Sequence, residues 1–197
     1  MRPVRRIASA TLAVLVLGCP ALAAEQPASP YAGQQVRPIK ALSDEDVAAL
    51  RNGEGMGLAK AAELNGYPGP AHLLALAAPL GLTEDQRHQI TAILERMRAA
   101  AKALGAEIVA REQSLDQLFA KGDITPDRLP AETAAISALQ GRLRAVHLAA
   151  HLETRPLLTP GQVALYQQLR GYGGSASSPE HHRRHGQEHG HGRIGHE

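Results

Sequence analysis

The chain has 197 residues, with 21 Lys and Arg against 19 Asp and Glu, one cysteine, no tryptophan and only 3% aromatic residues. A formal excess of +2 spread over both signs is not the basic footprint of a nucleic-acid-binding protein, and one cysteine cannot form a disulfide within the chain. Abundant Ala and Leu with few aromatic side chains favour helices over sheets.

The first 24 residues have the layout of a cleaved secretory signal. Arg2, Arg5 and Arg6 precede an apolar run over residues 7–17, and the small-residue site Ala21-Leu22-Ala23 follows. The run is shorter than the about 20 residues a membrane-spanning helix needs, and no later stretch is long and apolar enough to span. Cys19, in "VLGCP", resembles a weak lipoprotein box, but Leu17 and Pro20 are poor neighbours for one. Cleavage after Ala23 or Ala24 is therefore expected, with a periplasmic product that carries no cysteine. The three signal arginines exceed the whole formal excess, so the remainder is slightly acidic.

Residues 25–42 carry three prolines and little periodicity, and read as an extended or mobile lead-in. Ser43, followed by Asp44, Glu45 and Asp46, is a helix start with acids in the first turn, and the helix should run to about residue 51. "NGEGMG" interrupts, "LAKAAELN" is a second short helical piece, "GYPGP" over residues 66–70 breaks it, and "AHLLALAAPLG" gives another short apolar helix. The block over residues 55–70 has no evident mechanism.

The strongest pattern follows. From residue 83 to about 120, Ile90, Leu94, Met97, Ala101, Leu104, Ile108, Arg111, Leu115 and Leu118 alternate four and three apart, with only Arg111 breaking the apolar stripe. "KGDITP" supplies a turn, with Thr125 as cap and Pro126 at the first helical position. A return helix over about 126–153 shows Leu129, Ile136, Leu139, Leu143, Val146 and Ala150 on one face. Residues 83–153 thus predict a long antiparallel helical hairpin. A last short helix after Thr159 should turn Val163, Tyr166 and Leu169 inward. The expected fold is all-α, a domain over residues 43–170. Residues 171–197, rich in Gly, Ser, His and charge, are expected to be disordered.

Leu-Thr-x-x-Gln occurs twice, as Leu82, Thr83 and Gln86 and as Leu158, Thr159 and Gln162. Each threonine can accept from the backbone N–H three residues on, and each glutamine can reach back to the threonine's own N–H: a capping box. The preceding leucines can pack onto the first turn. Paired motifs of this kind in an exported helical chain resemble the Spy/CpxP family of periplasmic stress proteins over about residues 71–170. The resemblance implies a curved four-helix, cradle-shaped unit that pairs as a homodimer. It also implies a role as an ATP-independent chaperone for unfolded clients, or as a modulator that meets a stress-sensing envelope partner. A related branch senses heavy metals.

His147 and His151 stand one helical turn apart, so both rings can face one ligand, and imidazole suits Zn, Cu and Ni. Folding the hairpin puts them opposite residues 94–98. Glu95 is a possible third ligand and Glu153 lies near in sequence; the resemblance to the sensor branch also implies a ligand from its first helix, for which His72 is the only candidate here. The competing reading has His147 hydrogen-bonded locally beside the apolar seam and His151 solvated. His181, His182, His185, His189, His191 and His196 form a tail that can gather divalent metal loosely or serve as a solvated, pH-dependent cation. No enzyme is expected: there is no cysteine nucleophile, no serine lies in a catalytic motif, and no glycine-rich loop follows a strand. The sequence therefore leaves two functions open, a chaperone or stress modulator with metal-binding histidines, and a heavy-metal sensor or metal-buffering resistance protein.

Overall fold

The computed structural model describes residues 29–172. The expected export segment with Cys19 and the six tail histidines lie outside the described residues. Among the described residues, those up to Gln35 and those from Val36 onward form separate compact units. In the first, a turn is closed by the Ala32 N–H donating to the Ser29 carbonyl at 2.9 Å. In the second, every regular element is helical: α1 (Asp44–Asn52), α2 (Lys60–Glu63), α3 (Pro70–Ala75), α4 (Glu84–Lys121), α5 (Leu129–Thr154) and α6 (Pro160–Leu169). None of these helices is long and apolar enough to cross a membrane.

The helix starts follow from local chemistry. Ser43 Oγ accepts from the Asp46 N–H at 3.1 Å while Asp46 Oδ2 accepts from the Ser43 N–H at 3.0 Å, so α1 opens with a complete capping box. That donated N–H holds the Asp46 carboxyl below its usual range. Thr83 with Gln86 and Thr159 with Gln162 open α4 and α6 in the same way. Helix α5 begins three residues later than the sequence predicts. Pro126 sits in a turn, with the Thr125 carbonyl accepting from the N–H groups of Arg128 and Leu129, and Pro130 then occupies the first turn of the helix proper. Pro126 disfavours helical backbone at Thr125, so the chain enters through a turn there before the helix proper begins at Leu129.

Helices α4 and α5 pack lengthwise as the expected hairpin, and α1 lies on α4. The apolar face of α4 is wider than the seam read from the sequence. Ile93, Gly105 and Val109 are buried beside Ile90, Leu94, Ala101, Leu104 and Ile108, whereas Arg111 is exposed and Leu115 and Leu118 are only half-buried. The reason is that α4 takes α5 on one side and α1 and α3 on others. Gly105 marks the closest approach: a Cβ there would run into the backbone carbonyl of Leu50.

Two apolar clusters hang on α4. One joins Ile39, Leu50, Ala101, Leu104, Ile108, Val109, Leu139 and Leu143. Ile39 belongs to the lead-in, which is therefore pinned rather than mobile from that point. The Lys40 N–H adds a hydrogen bond to Asp116 Oδ1 at 3.1 Å. The other joins Leu73, Ala77, Leu80, Leu82, Ile90, Leu158, Val163 and Tyr166. Leu82 and Leu158, the residues just before the two threonine caps, are both buried here. Leu169 is 45% exposed rather than inward, because it falls at the end of α6 beyond the cluster.

Candidate functional site

The two Leu-Thr-x-x-Gln motifs meet. Gln86 Nε2 donates to Gln162 Oε1 at 2.9 Å and Gln162 Nε2 donates to Gln86 Oε1 at 3.1 Å. Gln86 Nε2 also donates to the Leu157 carbonyl at 2.7 Å. Each glutamine thus closes its own helix cap with its oxygen and ties the other helix start with its nitrogen. The repeated motif is a reciprocal joint between the beginnings of α4 and α6, and its role in this fold is structural.

The block over residues 55–70 packs on α5 by polar contacts. His151 Nδ1 lies 2.7 Å from the Tyr67 carbonyl, which can only accept, so Nδ1 carries a proton and any lone pair available to a ligand is on Nε2. Thr154 Oγ1 donates to the Pro68 carbonyl at 2.6 Å. The Gly69 N–H donates to Glu63 Oε2 at 3.2 Å. A Cβ on Gly69 would fall 2.7 Å from the His151 ring, so only glycine lets the loop lie flat on the imidazole.

Glu63 is a buried carboxylate surrounded by donors. Tyr166 donates a short hydrogen bond to Oε1, and Tyr172 Oη donates to the same oxygen at 3.2 Å. Arg170 Nε stands 3.4 Å from Oε1 as a charge partner without an aligned hydrogen bond. His72 Nδ1 is 3.6 Å from Oε1 and His151 Nδ1 is 3.8 Å from Oε2. Burial, then the hydrogen bond to Glu63, push the Tyr166 phenol far above its ordinary value, so it remains a donor.

His72 and His151 also line an open cleft of about 510 Å³, together with His147. Its other walls are Leu94, Met97, Arg98 and Lys102 of α4, the turn after α1 from Asn52 to Gly55, and residues 69–71. His147 is 3% exposed, and its Nε2 has no hydrogen-bond partner. Burial, then the neighbouring His151, lower its pKa, which favours the neutral ring.

This arrangement corrects the histidine expectations in part. His151 is buried at 8% exposure and bonded to the loop, not solvated, and His147 is not satisfied locally. Leu94, Met97 and Arg98 do share the cleft with the pair, and His72 joins them. Glu95 and Glu153 do not: Glu153 instead pairs with Arg96 at 2.7 Å. Among the described residues no three His, Cys, Asp or Glu side chains converge as a set that could hold a metal ion. The donor chemistry fits half a centre: a bare, neutral imidazole nitrogen on His147, and a His151 whose outer nitrogen is held by a carbonyl, as ligating histidines commonly are.

Glu63, Gly69, Arg98, Lys102 and the Tyr166 hydroxyl were not singled out as site residues in the sequence. Only the unexplained 55–70 block pointed towards two of them. No family model, no curated protein and no solved structure matches this chain.

Proposed function

We propose that the chain is an exported stress protein of the Spy/CpxP type that binds divalent metal through the α4–α5 cleft. The observation that carries this reading is His147 Nε2, buried and unpartnered beside a His151 whose tautomer leaves Nε2 free for a ligand. A buried polar atom without a partner costs about 1–3 kcal/mol, and a ligand in the cleft would recover it. Two imidazoles favour Zn²⁺, Cu²⁺ or Ni²⁺ over hard cations. The two Leu-Thr-x-x-Gln boxes and the all-helical hairpin support the family. The histidine tail would add loose, low-affinity capacity.

Calorimetric titration of the signal-free chain, and of a form ending at Tyr172, separates the two contributions. The shortened form is expected to bind one metal ion per chain, and the full form that ion plus weaker ones. Absence of metal binding by the shortened form refutes the cleft.

A second reading, an ATP-independent chaperone acting as a homodimer, is favoured by large apolar side chains left exposed on the hairpin: Phe119 at 57%, Leu152 at 60% and Leu129 at 38%. Exposed apolar side chains at both ends of the hairpin would suit weak, separate contacts with unfolded clients. The protein is then expected to suppress aggregation of an unfolded client without nucleotide at near-stoichiometric ratio. Failure at several-fold excess removes this role and leaves a sensor or buffer.

A further inference from the structure

The cleft would hold a bare cation only weakly. Two of its three imidazoles, His147 and His151, sit one turn apart on α5, and from α4 it is lined by Arg98 and Lys102, also one turn apart. Both cations are exposed, and neither is ion-paired among the described residues. The one carboxylate in the lining, Glu54, is exposed and accepts a hydrogen bond from Asn52 Nδ2 at 3.3 Å. A dipositive ion entering here meets a net positive wall, and the described chain offers it no third carboxylate, thiolate or imidazole in one group. A volume of about 510 Å³ is also that of a small-molecule site rather than an ion cage.

Each of these features suits an ion that arrives already chelated. A di- or tricarboxylate would complete the coordination sphere, reverse the local charge and fill the space. Its outer carboxylate oxygens would pair with the guanidinium and the ammonium, and Leu94, Met97 and Pro70 would cover its carbon skeleton. We propose that the cleft binds a divalent metal as its complex with a small organic carboxylate. In that complex His147 and His151 would be the protein ligands, and Arg98 and Lys102 would recognise the carboxylate. The inference rests on the metal reading above and adds the chemical class of the co-ligand.

The test is equilibrium dialysis of radiolabelled citrate and Zn²⁺ against the full signal-free chain with the six tail histidines replaced by serine, which removes adventitious zinc. Citrate retention at one per chain is expected only when Zn²⁺ is present. Arg98→Ser with Lys102→Ser should weaken it about tenfold, as two exposed ion pairs together would. His147→Ala should weaken it by about tenfold or more. The two rim residues are exposed, so their double variant folds and keeps the test decisive even if His147→Ala does not. Zinc retained equally well without citrate overturns the chelate and leaves the metal reading standing. Citrate retained equally well without zinc also overturns it and makes the cleft an anion site. Retention of neither removes the chelate and the metal reading together.

Discussion

At the scale of single residues, Glu63 is the point on which the loop over residues 55–70, α6 and the end of the described chain converge. Its carboxylate is 8% exposed and takes donors from Gly69, Tyr166 and Tyr172. Removing one donor leaves a buried charge partly unmatched. Tyr166→Phe is therefore expected to destabilise the fold by about 2 kcal/mol in denaturant melts. The same phenol gives a pH signature. Its folded pKa is raised, so above the ordinary phenol value of about 10 the unfolded chain releases a proton that the folded chain keeps. Stability from this group is full below that pH and is lost as pH rises above it. The wild-type protein should lose more stability between pH 9 and about 11 than Tyr166→Phe does, and equal slopes would contradict the proposed burial of the hydroxyl. None of this was legible in the sequence. Glu63 and Tyr166 lie 103 residues apart, and Thr154 and Pro68 lie 86 apart. "AAELN" carries no spacing that separates a buried carboxylate from a solvated one.

At the scale of elements, local signals were readable wherever the physics is local. Each of the three capping boxes needs only four consecutive residues, and each is complete. The hairpin was readable because one long stripe outweighs single exceptions. Where an element answers to several neighbours the reading fell short: α4 buries a wider face than a two-helix seam, and a turn over residues 126–128 delays the start of α5 to Leu129. The cross-bonding of Gln86 and Gln162 could not be seen either, since each box is explained by its own helix. Gln86→Ala and Gln162→Ala are each expected to cost about 1–2 kcal/mol. Because the pair share two hydrogen bonds, the double variant should cost about 0.5–1 kcal/mol less than the two added together. Strict additivity in chemical denaturation would show that the boxes act independently. Two mid-helix glycines give a contrast of sign. Gly141 has open space around its missing Cβ, so Gly141→Ala should stabilise by about 1 kcal/mol. Gly105→Ala would force α1 off α4 and should lower the melting temperature instead.

At the scale of the second unit as a whole, both apolar clusters are anchored on α4, and the cleft is lined by pieces that follow each of them. Asn52 to Gly55 follow α1, which packs into the first cluster, and residues 69–72 open α3, which packs into the second. A ligand held between His147 and His151 on one side and Arg98 and Lys102 on the other would touch both pieces at once. Its binding energy would then oppose local opening of the connection between them, residues 53–69. That stretch contains only four residues of regular helix and is held largely by polar contacts, to α5 through His151 and Thr154 and to α6 through Glu63, so it is expected to open at lower cost than the hairpin. A ligand at about 100 times its dissociation constant stabilises the bound form by about 2.7 kcal/mol. Any opening that breaks the site is suppressed by that amount, roughly 100-fold in exchange rate. Hydrogen–deuterium exchange with and without saturating Zn²⁺ and citrate should therefore slow amides in residues 53–72 strongly. The far end of the hairpin, residues 112–135, opens without disturbing the cleft and should exchange at an unchanged rate. Protection confined to that far end would place the ligand elsewhere. Protection spread evenly over the hairpin would mean that the loop opens only with global unfolding, so that its contacts with α5 and α6 hold it as firmly as the core.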